Sequence, residues 1–297
     1  MGFPAGWIYG RMMTGLALAL RDATAALEQI SPTARLDAEL LLAHALGIDR
    51  SAMLLRQHDL IVPDSYAALL ARRVADEPVA YITGMQAFWD LDLHVTPDVL
   101  IPRADSETLL DAAIEWFGPD QAPSRIADLG TGSGALLLAA LSIFPRAQGY
   151  GIDASLAALN IAHDNAERLG FADRAVFAHG DWTKPDWNLG LGQFDLILCN
   201  PPYIEDSAEL AQMVAAHEPQ RALFAGADGL DDYRLLIPRL DTLLDQRGVA
   251  FFEIGYNQAK SVTLLAANAG YLTELRHDLA GNPRVIRFSL GIRETND

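Results

Sequence analysis

The sequence predicts an α/β protein in which a small helical bundle and a β-hairpin connector precede a mostly parallel, seven-stranded sheet. Two observations predict this fold. From about residue 125 onward, short apolar runs alternate with helical patterns, which is typical of a parallel sheet covered by helices on both faces. Residues 13 to about 76 show helical patterns alone. With 297 residues, of which 51% are hydrophobic, the chain is long enough for a full α/β domain and a smaller one.

The helical part comes first in the chain. Four apolar residues recur at helical spacing and predict one apolar face: Leu36, Leu40, Ala43 and Leu46. Gly47 follows them as a stop signal, and Pro63 precedes a second helical pattern. We predict that residues 1–86 form a helical domain, with about its first 12 residues disordered and with Met12 or Met13 as a candidate initiator.

A connector follows the helical part. Glu77 and Pro78 break the helical pattern, and residues 88–95 then alternate with period two, which predicts a strand or one arm of a hairpin. We assign residues 87–104 to this connector and 105–297 to the sheet domain. The first helix of that domain is expected to run to about Phe117, with Asp105 or Ser106 as its N-cap.

Seven runs predict the strands of the sheet. They are Arg125–Leu129, Ala147–Ile152, Ala175–His179, Phe194–Cys199, Gly248–Ile254, Tyr271–His277 and Val285–Leu290. Helical patterns separate most of them. A loop of Gly, Asn and Pro joins the last two instead of a helix, which predicts an antiparallel hairpin at the edge of the sheet.

Composition and charge narrow the classes of function. The net charge is −17, most of the acidic excess falls after residue 100, and no Lys/Arg cluster occurs, so the charge disfavours a nucleic-acid substrate. The single cysteine, Cys199, excludes a disulfide framework and a cysteine-rich metal site, and we expect no metal. No run approaches the ~20 apolar residues of a membrane span, so we expect a cytoplasmic protein.

The most informative motif is Asn200-Pro201-Pro202-Tyr203, directly after the predicted strand Phe194–Cys199. In an open α/β sheet, ligands bind at the carboxyl ends of the strands. Tandem prolines remove N–H donors and leave carbonyl acceptors, which suits a planar group that carries N–H, such as an amide or an exocyclic amine. The alternative is a stiff turn after the strand.

A second motif follows the strand that ends in Asp128 and Leu129. The residues Gly130, Thr131, Gly132, Ser133 and Gly134 form a glycine-rich turn that opens a helix. The spacing differs from the dinucleotide fingerprint G-x-G-x-x-G, and Asp128 precedes it. A carboxylate there would repel a phosphate but attract an ammonium or a sulfonium. The favoured ligand is therefore S-adenosylmethionine, although a glycine turn alone also fits a tight strand–helix connection.

Acidic and aromatic residues follow the next two strands. Asp153 is placed to accept the hydroxyls of a ribose, or else to cap the helix that begins near Ser155. Asp181 and Trp182 suit an adenine amine and ring, or else a turn with a packed tryptophan. Together with the glycine turn and Asn200, these residues fall at successive strand ends, in the order that one extended nucleoside requires.

With these residues identified, the chain resembles class I S-adenosylmethionine-dependent methyltransferases. It is most similar to the peptide-chain release factor glutamine methyltransferases, the HemK/PrmC family, over nearly its whole length. The stretches that carry the resemblance are Glu77 to Gly84, Leu100 to Arg103, Asp128 to Gly134, Asn200 to Tyr203, Glu253 to Tyr256 and Asp278 to Gly281.

The resemblance implies a Rossmann-like methyltransferase sheet and a role for each motif. The glycine turn wraps the methionine part of the cofactor, Asp153 takes the ribose, and Asp181 with Trp182 takes the adenine. Asn200, Pro201, Pro202 and Tyr203 hold the glutamine of the release factor's Gly-Gly-Gln motif, and the helical part docks that protein. We expect Asn200, Pro201 and Tyr203 to act in catalysis.

The chain departs from the family pattern at two places. Ala104 stands where the family usually has proline, and His277 stands where it often has lysine. The role of residues 103–107 therefore stays open. Three other functions stay open as well: a glutamine methyltransferase for a ribosomal protein, an adenine-N6 nucleic-acid methyltransferase, and a non-catalytic adaptor that binds S-adenosylmethionine.

Overall fold

The computed structural model describes residues 15–119 and 121–290. Its contacts divide the chain into two compact units, Met1–Thr83 and Gly84–Asp297. The hairpin that we assigned to a separate connector therefore belongs to the second unit. The predictions about the first 12 residues and about Met12 or Met13 lie outside the described residues.

The first unit is a small bundle of five helices in its described part. They are α1 (Gly15–Leu27), α2 (Ala34–Leu46), α3 (Arg50–Leu55), α4 (Ser65–Val74) and α5 (Val79–Thr83). Gly47 ends α2 in the left-handed conformation, at a φ of 66°. The apolar face of α2 differs from the prediction, because Leu36 and Leu40 are exposed whereas Leu41 and Leu42 are fully buried.

A buried ion pair also holds the bundle together. Arg73 of α4 donates from Nε to Asp37 Oδ2 of α2 at 2.9 Å, and both side chains are almost fully buried. Tyr66 donates its hydroxyl to the Ala38 carbonyl at 3.1 Å, so α4 is joined to α2 at a second point. Breaking such a pair leaves an uncompensated charge in the core, which typically costs about 3–5 kcal/mol.

The second unit opens with an antiparallel hairpin, β1 (Met85–Phe88) and β2 (Leu91–His94). The prediction of a strand from residue 88 onward was wrong at Trp89 and Asp90, which form the turn. Trp89 has a φ of 56°, and its backbone N–H donates to the Glu107 carboxylate at 2.8 Å. This hydrogen bond ties the turn to the first helix of the sheet domain.

The rest of the unit is the predicted α/β sheet. Its strands are β3 (Arg125–Leu129), β4 (Gln148–Asp153), β5 (Ala175–His179), β6 (Phe194–Cys199), β7 (Leu244–Glu253), β8 (Tyr271–His277) and β9 (Pro283–Leu290). Their order is β5-β4-β3-β6-β7-β9-β8. The strands from β5 to β7 run parallel, and β9 pairs antiparallel with both β7 and β8. The predicted fold and the predicted terminal hairpin are confirmed.

Helices cover both faces of this sheet. The helices of this unit are α6 (Glu107–Phe117), α7 (Ala135–Ile143), α8 (Leu156–Leu169), α9 (Gln212–His217), α10 (Asp231–Leu236), α11 (Leu240–Leu243) and α12 (Ala259–Asn268), and all but α9 bury residues in the two cores. Single turns of 3-10 helix occur at Ala104–Ser106, Gln220–Ala222 and Ile237–Arg239. One apolar core lies between the sheet and α6–α8, and a second lies between the sheet and α10–α12. Among the described residues, no helix is long and apolar enough to span a membrane.

Strand β6 shows why the sheet needs both cores. Leu196 and Leu198 belong to one core, whereas Ile197 and Cys199 belong to the other, and all four are fully buried. A strand covered on both faces is therefore an unbroken apolar run. Cys199 is a buried hydrophobic residue as predicted, and burial raises the pKa of its thiol well above the usual value. The polar residues begin where the run stops, at Asn200.

Candidate active site

A cleft of about 620 Å³ lies beyond the carboxyl ends of β3, β4, β5 and β6. Six of the predicted site residues line it: Gly130, Gly132, Asp153, Trp182, Asn200 and Pro202. The parallel strands bring together residues that are far apart in the sequence, because their carboxyl ends meet at one edge of the sheet. The remaining predicted residues are not part of this lining.

The glycine turn has the backbone conformation that the sequence predicted. Gly130, Gly132 and Gly134 have φ values of 77°, 55° and 83°, a region that other residues rarely adopt. A Cβ atom on Gly130 would lie 3.2 Å from the Trp182 ring. The N–H groups of Gly130 and Thr131 both donate to the Ile152 carbonyl, at 2.8 and 3.0 Å, so β4 fixes the turn.

Asp128 lies behind this turn and holds it in place. Its Oδ2 accepts a hydrogen bond from the Thr131 hydroxyl at 2.7 Å, and the residue is 1% exposed. Its Oδ1 is buried with no hydrogen-bond partner among the described residues. Burial raises the pKa of Asp128 to about 7 against the hydrogen bond from Thr131, and the nearby charge of Asp153 adds to the rise.

Asp153 lines the cleft at the end of β4. Its carboxylate accepts from the backbone N–H of Gly132 at 2.9 Å and from that of Ser155 at 2.8 Å. The alternative that Asp153 caps α8 was wrong, because Ser155 is the N-cap and accepts from Ala158 N–H at 3.2 Å. Two hydrogen bonds leave further lone pairs on the Asp153 carboxylate for a ligand.

Trp182 and Asp181 point to different partners. The indole Nε1 of Trp182 donates to Asp232 Oδ1 at 2.5 Å, and both residues line the cleft. Asp181 accepts from the Thr183 backbone and hydroxyl and pairs with Arg221 at 3.1 Å. Its carboxylate is therefore engaged beside the cleft. Asp232 occupies the lining instead, and burial raises its pKa.

The Asn200 motif anchors a hydrogen-bonded chain of side chains. Asn200 donates from Nδ2 to the Ser106 hydroxyl at 3.1 Å, and Ser106 donates to Glu253 Oε2 at 2.5 Å. Tyr203 donates its hydroxyl to Glu253 Oε1 at 3.3 Å. Pro201 is buried, and Tyr203 packs against the core below the sheet edge. Only Asn200 and Pro202 of the motif line the cleft.

Glu253 is the buried end of that chain. The residue is 1% exposed, and burial raises its pKa to about 7 in spite of the hydrogen bond from Ser106 and the positive charge of Arg284. The pKa of the Tyr203 phenol is raised as well, by burial and by the charge of Glu253. A carboxylate is expensive to bury, so its place beside Asn200 calls for a functional reason.

Sequence reasoning missed Ser106, Glu253 and Asp232. Ser106 was considered only as an N-cap of α6; it has that position, but its hydroxyl caps nothing and bonds Glu253 instead. Glu253 ends an apolar strand, which is the same signal that identified Asp128 and Asp153. Asp232 had no such signal, because it lies in the first turn of the short helix α10.

The charge of the lining favours a cationic ligand. Four aspartates border the cleft, and Arg221 is the only basic side chain among its described lining residues. The aspartates are Asp98, Asp153, Asp231 and Asp232. Such a field disfavours a polyphosphate and attracts an ammonium or a sulfonium group. The cavity is also within the size range of small-molecule sites, about 300–1,000 Å³.

Comparison with known proteins places the chain among methyltransferases. Residues 19–84 match the family model described as PrmC N-terminal domain, and residues 121–230 match the model described as Methyltransferase domain. A release factor glutamine methyltransferase of Rhodospirillum rubrum is 43% identical over 85% of this chain and 78% of the relative. One from Bradyrhizobium diazoefficiens is 41% identical over 91% of both chains.

Solved structures support the fold. The catalytic domain of hMettl16, in complex with an RNA hairpin of MAT2A, superposes with a TM-score of 0.53. The superposition covers 77% of this chain and 82% of that one at 13% identity, so the likeness concerns the fold alone.

Proposed function

The chain belongs to the release factor glutamine methyltransferase family, and on this basis we propose its reaction. The enzyme transfers a methyl group from S-adenosylmethionine to the side-chain amide nitrogen, N5, of a glutamine. That glutamine is the one in the Gly-Gly-Gln motif of peptide-chain release factors. The observation that carries this proposal is Asn200, which borders the same cleft as Gly130 and Asp153.

The residues of the cleft fit S-adenosylmethionine. Gly130 and Gly132 leave the room that a Cβ atom would fill, Asp153 retains free lone pairs for a ribose, and Trp182 offers a ring for an adenine. The acidic lining suits the positive charges of the sulfonium and the amino group. When bound, this cofactor supplies a methyl group on a positively charged sulfur, which is a good leaving group.

The substrate amide needs help because its nitrogen lone pair is delocalised into the carbonyl. The Asn200 side-chain oxygen, which borders the cleft, accepts one hydrogen of the amide, and the backbone carbonyl of Pro201, a buried residue next to that lining, accepts the other. These two hydrogen bonds orient the nitrogen and stabilise the charge that develops on it, because they are directed at the N–H groups that become acidic. Prolines suit this position, since neither carries an N–H donor that would compete.

Alignment of the reacting atoms supplies the remaining rate enhancement. The reacting carbon and nitrogen need to lie within roughly 3–3.5 Å in line with the bond that breaks. No histidine or cysteine is among the described residues that line the cleft, so the proton that the nitrogen loses when it gains the methyl group would pass to solvent, and the reaction as proposed needs no base of altered pKa. Tyr203 supports the motif from below, through its hydroxyl on Glu253.

The first unit is the proposed docking surface for the release factor. Leu55 and Ile61 of this unit are 85% and 87% exposed, so they are accessible side chains at which the docking role can be tested. A cytoplasmic location agrees with this substrate. We propose no membrane and no direct nucleic-acid partner.

A substrate panel tests the proposal. The purified enzyme is incubated with labelled S-adenosylmethionine and with release factor, ribosomal protein, ribosomal RNA or DNA. Label should enter the release factor and should be lost when the glutamine of its Gly-Gly-Gln motif is replaced by alanine. Preferential labelling of a ribosomal protein or of a nucleic acid would overturn the assignment and favour one of the alternatives.

A further inference from the structure

The carboxamide of Asn200 can be turned over without changing its shape, but its two ends behave differently. The oxygen only accepts hydrogen bonds, whereas the NH₂ group only donates them. The proposed function needs the oxygen to face the substrate, whose amide presents N–H groups. If the NH₂ group of Asn200 faced the cleft instead, it would meet the N–H groups of the substrate, and two sets of donors cannot form a hydrogen bond. The protein therefore needs a device that holds this amide in one orientation.

Ser106 and Glu253 provide such a device. Asn200 Nδ2 lies 3.1 Å from Ser106 Oγ, which in turn lies 2.5 Å from Glu253 Oε2. A carboxylate can only accept, so the single hydroxyl proton of Ser106 is committed to Glu253. The oxygen of Ser106 can then only accept from Asn200, which must turn its NH₂ group toward the serine.

The same geometry leaves the Asn200 oxygen available. The oxygen and the nitrogen of a carboxamide leave the same carbon atom in different directions. Because Nδ2 of Asn200 faces Ser106, Oδ1 is directed away from it. Among the described residues no side chain or backbone group donates to it. Asn200 is partly exposed and borders the cleft, whereas Ser106 and Glu253 are 4% and 1% exposed. The acceptor is thus presented to the cleft by an amide that two almost fully buried side chains hold from behind.

We propose that Ser106 and Glu253 are positioning residues that fix the polarity of the Asn200 amide and so select an N–H-bearing substrate group. This inference rests on the proposed function and goes one step beyond it. It explains why a carboxylate is buried at the end of β7, although burying a neutral side chain there would cost less free energy. It also gives Ser106, at the start of α6, a part in the reaction although it touches no substrate.

The first test is the variant Ser106→Ala. It removes the acceptor for Asn200 Nδ2, so the amide loses its preferred orientation and its exact placement. We expect kcat for release factor methylation to fall by about 10–100-fold, since small misplacements of a reacting group have effects of this size. Cofactor affinity should stay close to wild type, while the melting temperature should fall because the buried Glu253 carboxylate loses a hydrogen-bond donor. Ser106→Thr retains the hydroxyl and should restore most of the rate.

Two controls separate positioning from general damage. Ser142→Ala removes a serine hydroxyl elsewhere in the same unit, where its partners are the Ala139 carbonyl and Asp90, and it should leave kcat unchanged. If Ser106→Ala does not fold, Glu253→Gln tests the same positioning role through the other residue of the pair. It should lower kcat while cofactor affinity is retained.

The double variant decides the matter. If Ser106 acts through Asn200, Ser106→Ala should cause no further loss in an enzyme that already carries Asn200→Ala. Full additivity of the two losses, or a near wild-type kcat for Ser106→Ala, overturns the positioning role. A wild-type enzyme that does not methylate release factor overturns the proposed function and this inference together. A wild type and Asn200→Ala that behave as expected, beside a fully active Ser106→Ala, overturn this inference alone.

Discussion

Asn200 is the residue on which the proposed chemistry depends most. It follows a strand that is buried except at Asp195, borders the cleft and presents an amide whose NH₂ group is already engaged by Ser106. Its remaining acceptor is the group that the substrate amide needs. Asn200 is also one of the cofactor contacts that we propose, but the others come from different strand ends, so substrate orientation and cofactor binding are largely separable functions of this edge.

Replacing Asn200 by alanine should therefore affect the rate and not the cofactor. We expect kcat to fall by about 100-fold or more, which is typical of removing one group that stabilises developing charge. The dissociation constant of S-adenosylmethionine should change little. Steady-state kinetics and calorimetric titration measure the two quantities. Asn188→Ala, whose side chain bonds Thr242 near the surface, is the matched control and should retain wild-type kinetics.

The pH dependence of the rate should report the state of Glu253. Burial raises its pKa to about 7 against the pull of Ser106, Tyr203 and Arg284, while the charge of Asp105 adds to the rise. The carboxylate form thus predominates only above that pH. Protonated Glu253 could donate to Ser106 and would no longer fix the direction of the hydrogen bonds. We expect kcat to rise as the pH rises through about 7.

Glu253→Gln isolates this contribution. Gln cannot ionise, so the rise in kcat should largely disappear and the rate should resemble that of the wild type at low pH. Asp128 also has a pKa raised to about 7, and any dependence that survives in the Gln variant is assigned to other groups such as this one. Identical pH profiles of kcat for the two enzymes, measured between about pH 6 and pH 8, would contradict the role of Glu253.

Asn165 shows how one side chain can join several elements. It lies on α8 and is fully buried. Its Oδ1 accepts from His94 N–H at 2.7 Å, and its Nδ2 donates to the carbonyls of His94 and Ser133 at 2.9 and 3.0 Å. The hairpin strand β2, the glycine turn and α8 are therefore held by a single amide. Its position in the middle of a helical pattern gave no sign of this role.

Asn165→Ala should destabilise the protein by about 3 kcal/mol. The substitution leaves buried backbone groups of His94 and Ser133 without partners, and each such group costs about 1–3 kcal/mol. Chemical denaturation measures the loss. Asn160→Ala, an exposed position on the same helix, should change the free energy of unfolding by less than about 0.5 kcal/mol. Equal stabilities for the two variants would contradict this account of the junction.

Much of the sheet could be predicted because its strands are apolar runs bounded by polar or glycine residues. Strands β3, β5, β6 and β8 match their predictions at both ends, whereas β7 begins at Leu244 and not at Gly248. The hairpin could not be placed correctly, because the turn residues Trp89 and Asp90 continue the period-two pattern of the strand. A tryptophan at positive φ is uncommon, and only tertiary contacts stabilise it there.

Only those residues of the site that belong to a recognisable sequence motif could be predicted. The glycine turn, Asp153, Trp182 and Asn200 each follow a strand, and the fold brings strand ends together. Ser106 lies 94 residues from Asn200 and 147 from Glu253, so no local pattern links the three. Asp232 is likewise 50 residues from Trp182. Hydrogen bonds over such distances are consequences of the fold and are not visible in a sequence pattern.

The two units have separate cores, which suits separate tasks. The chemistry-bearing residues that we identified all lie in Gly84–Asp297, while Met1–Thr83 contributes a bundle with its own apolar core. The acidic field of the protein as a whole does not attract nucleic acid. To bind a protein substrate, the enzyme needs a docking surface outside the cleft. We propose that the first unit provides it.

Charged substitutions on that unit test the docking role. We expect Leu55→Glu combined with Ile61→Glu to raise KM for release factor by about tenfold, since each variant places an unpaired charge where the partner would exclude water. kcat and cofactor affinity should change little. Leu189→Glu, at a residue 75% exposed in the second unit, is the matched control. An unchanged KM for the double variant would remove these side chains from the proposed surface.

Mass spectrometry of the protein substrate tests the central claim most directly. Release factor is incubated with the enzyme and S-adenosylmethionine, digested, and its Gly-Gly-Gln peptide is fragmented to locate the modification. The account predicts one added methyl group on the glutamine side chain with the wild-type enzyme and a nearly unmodified peptide with Asn200→Ala. An unmodified glutamine after incubation with the wild type, or equal methylation by the two enzymes, would contradict it.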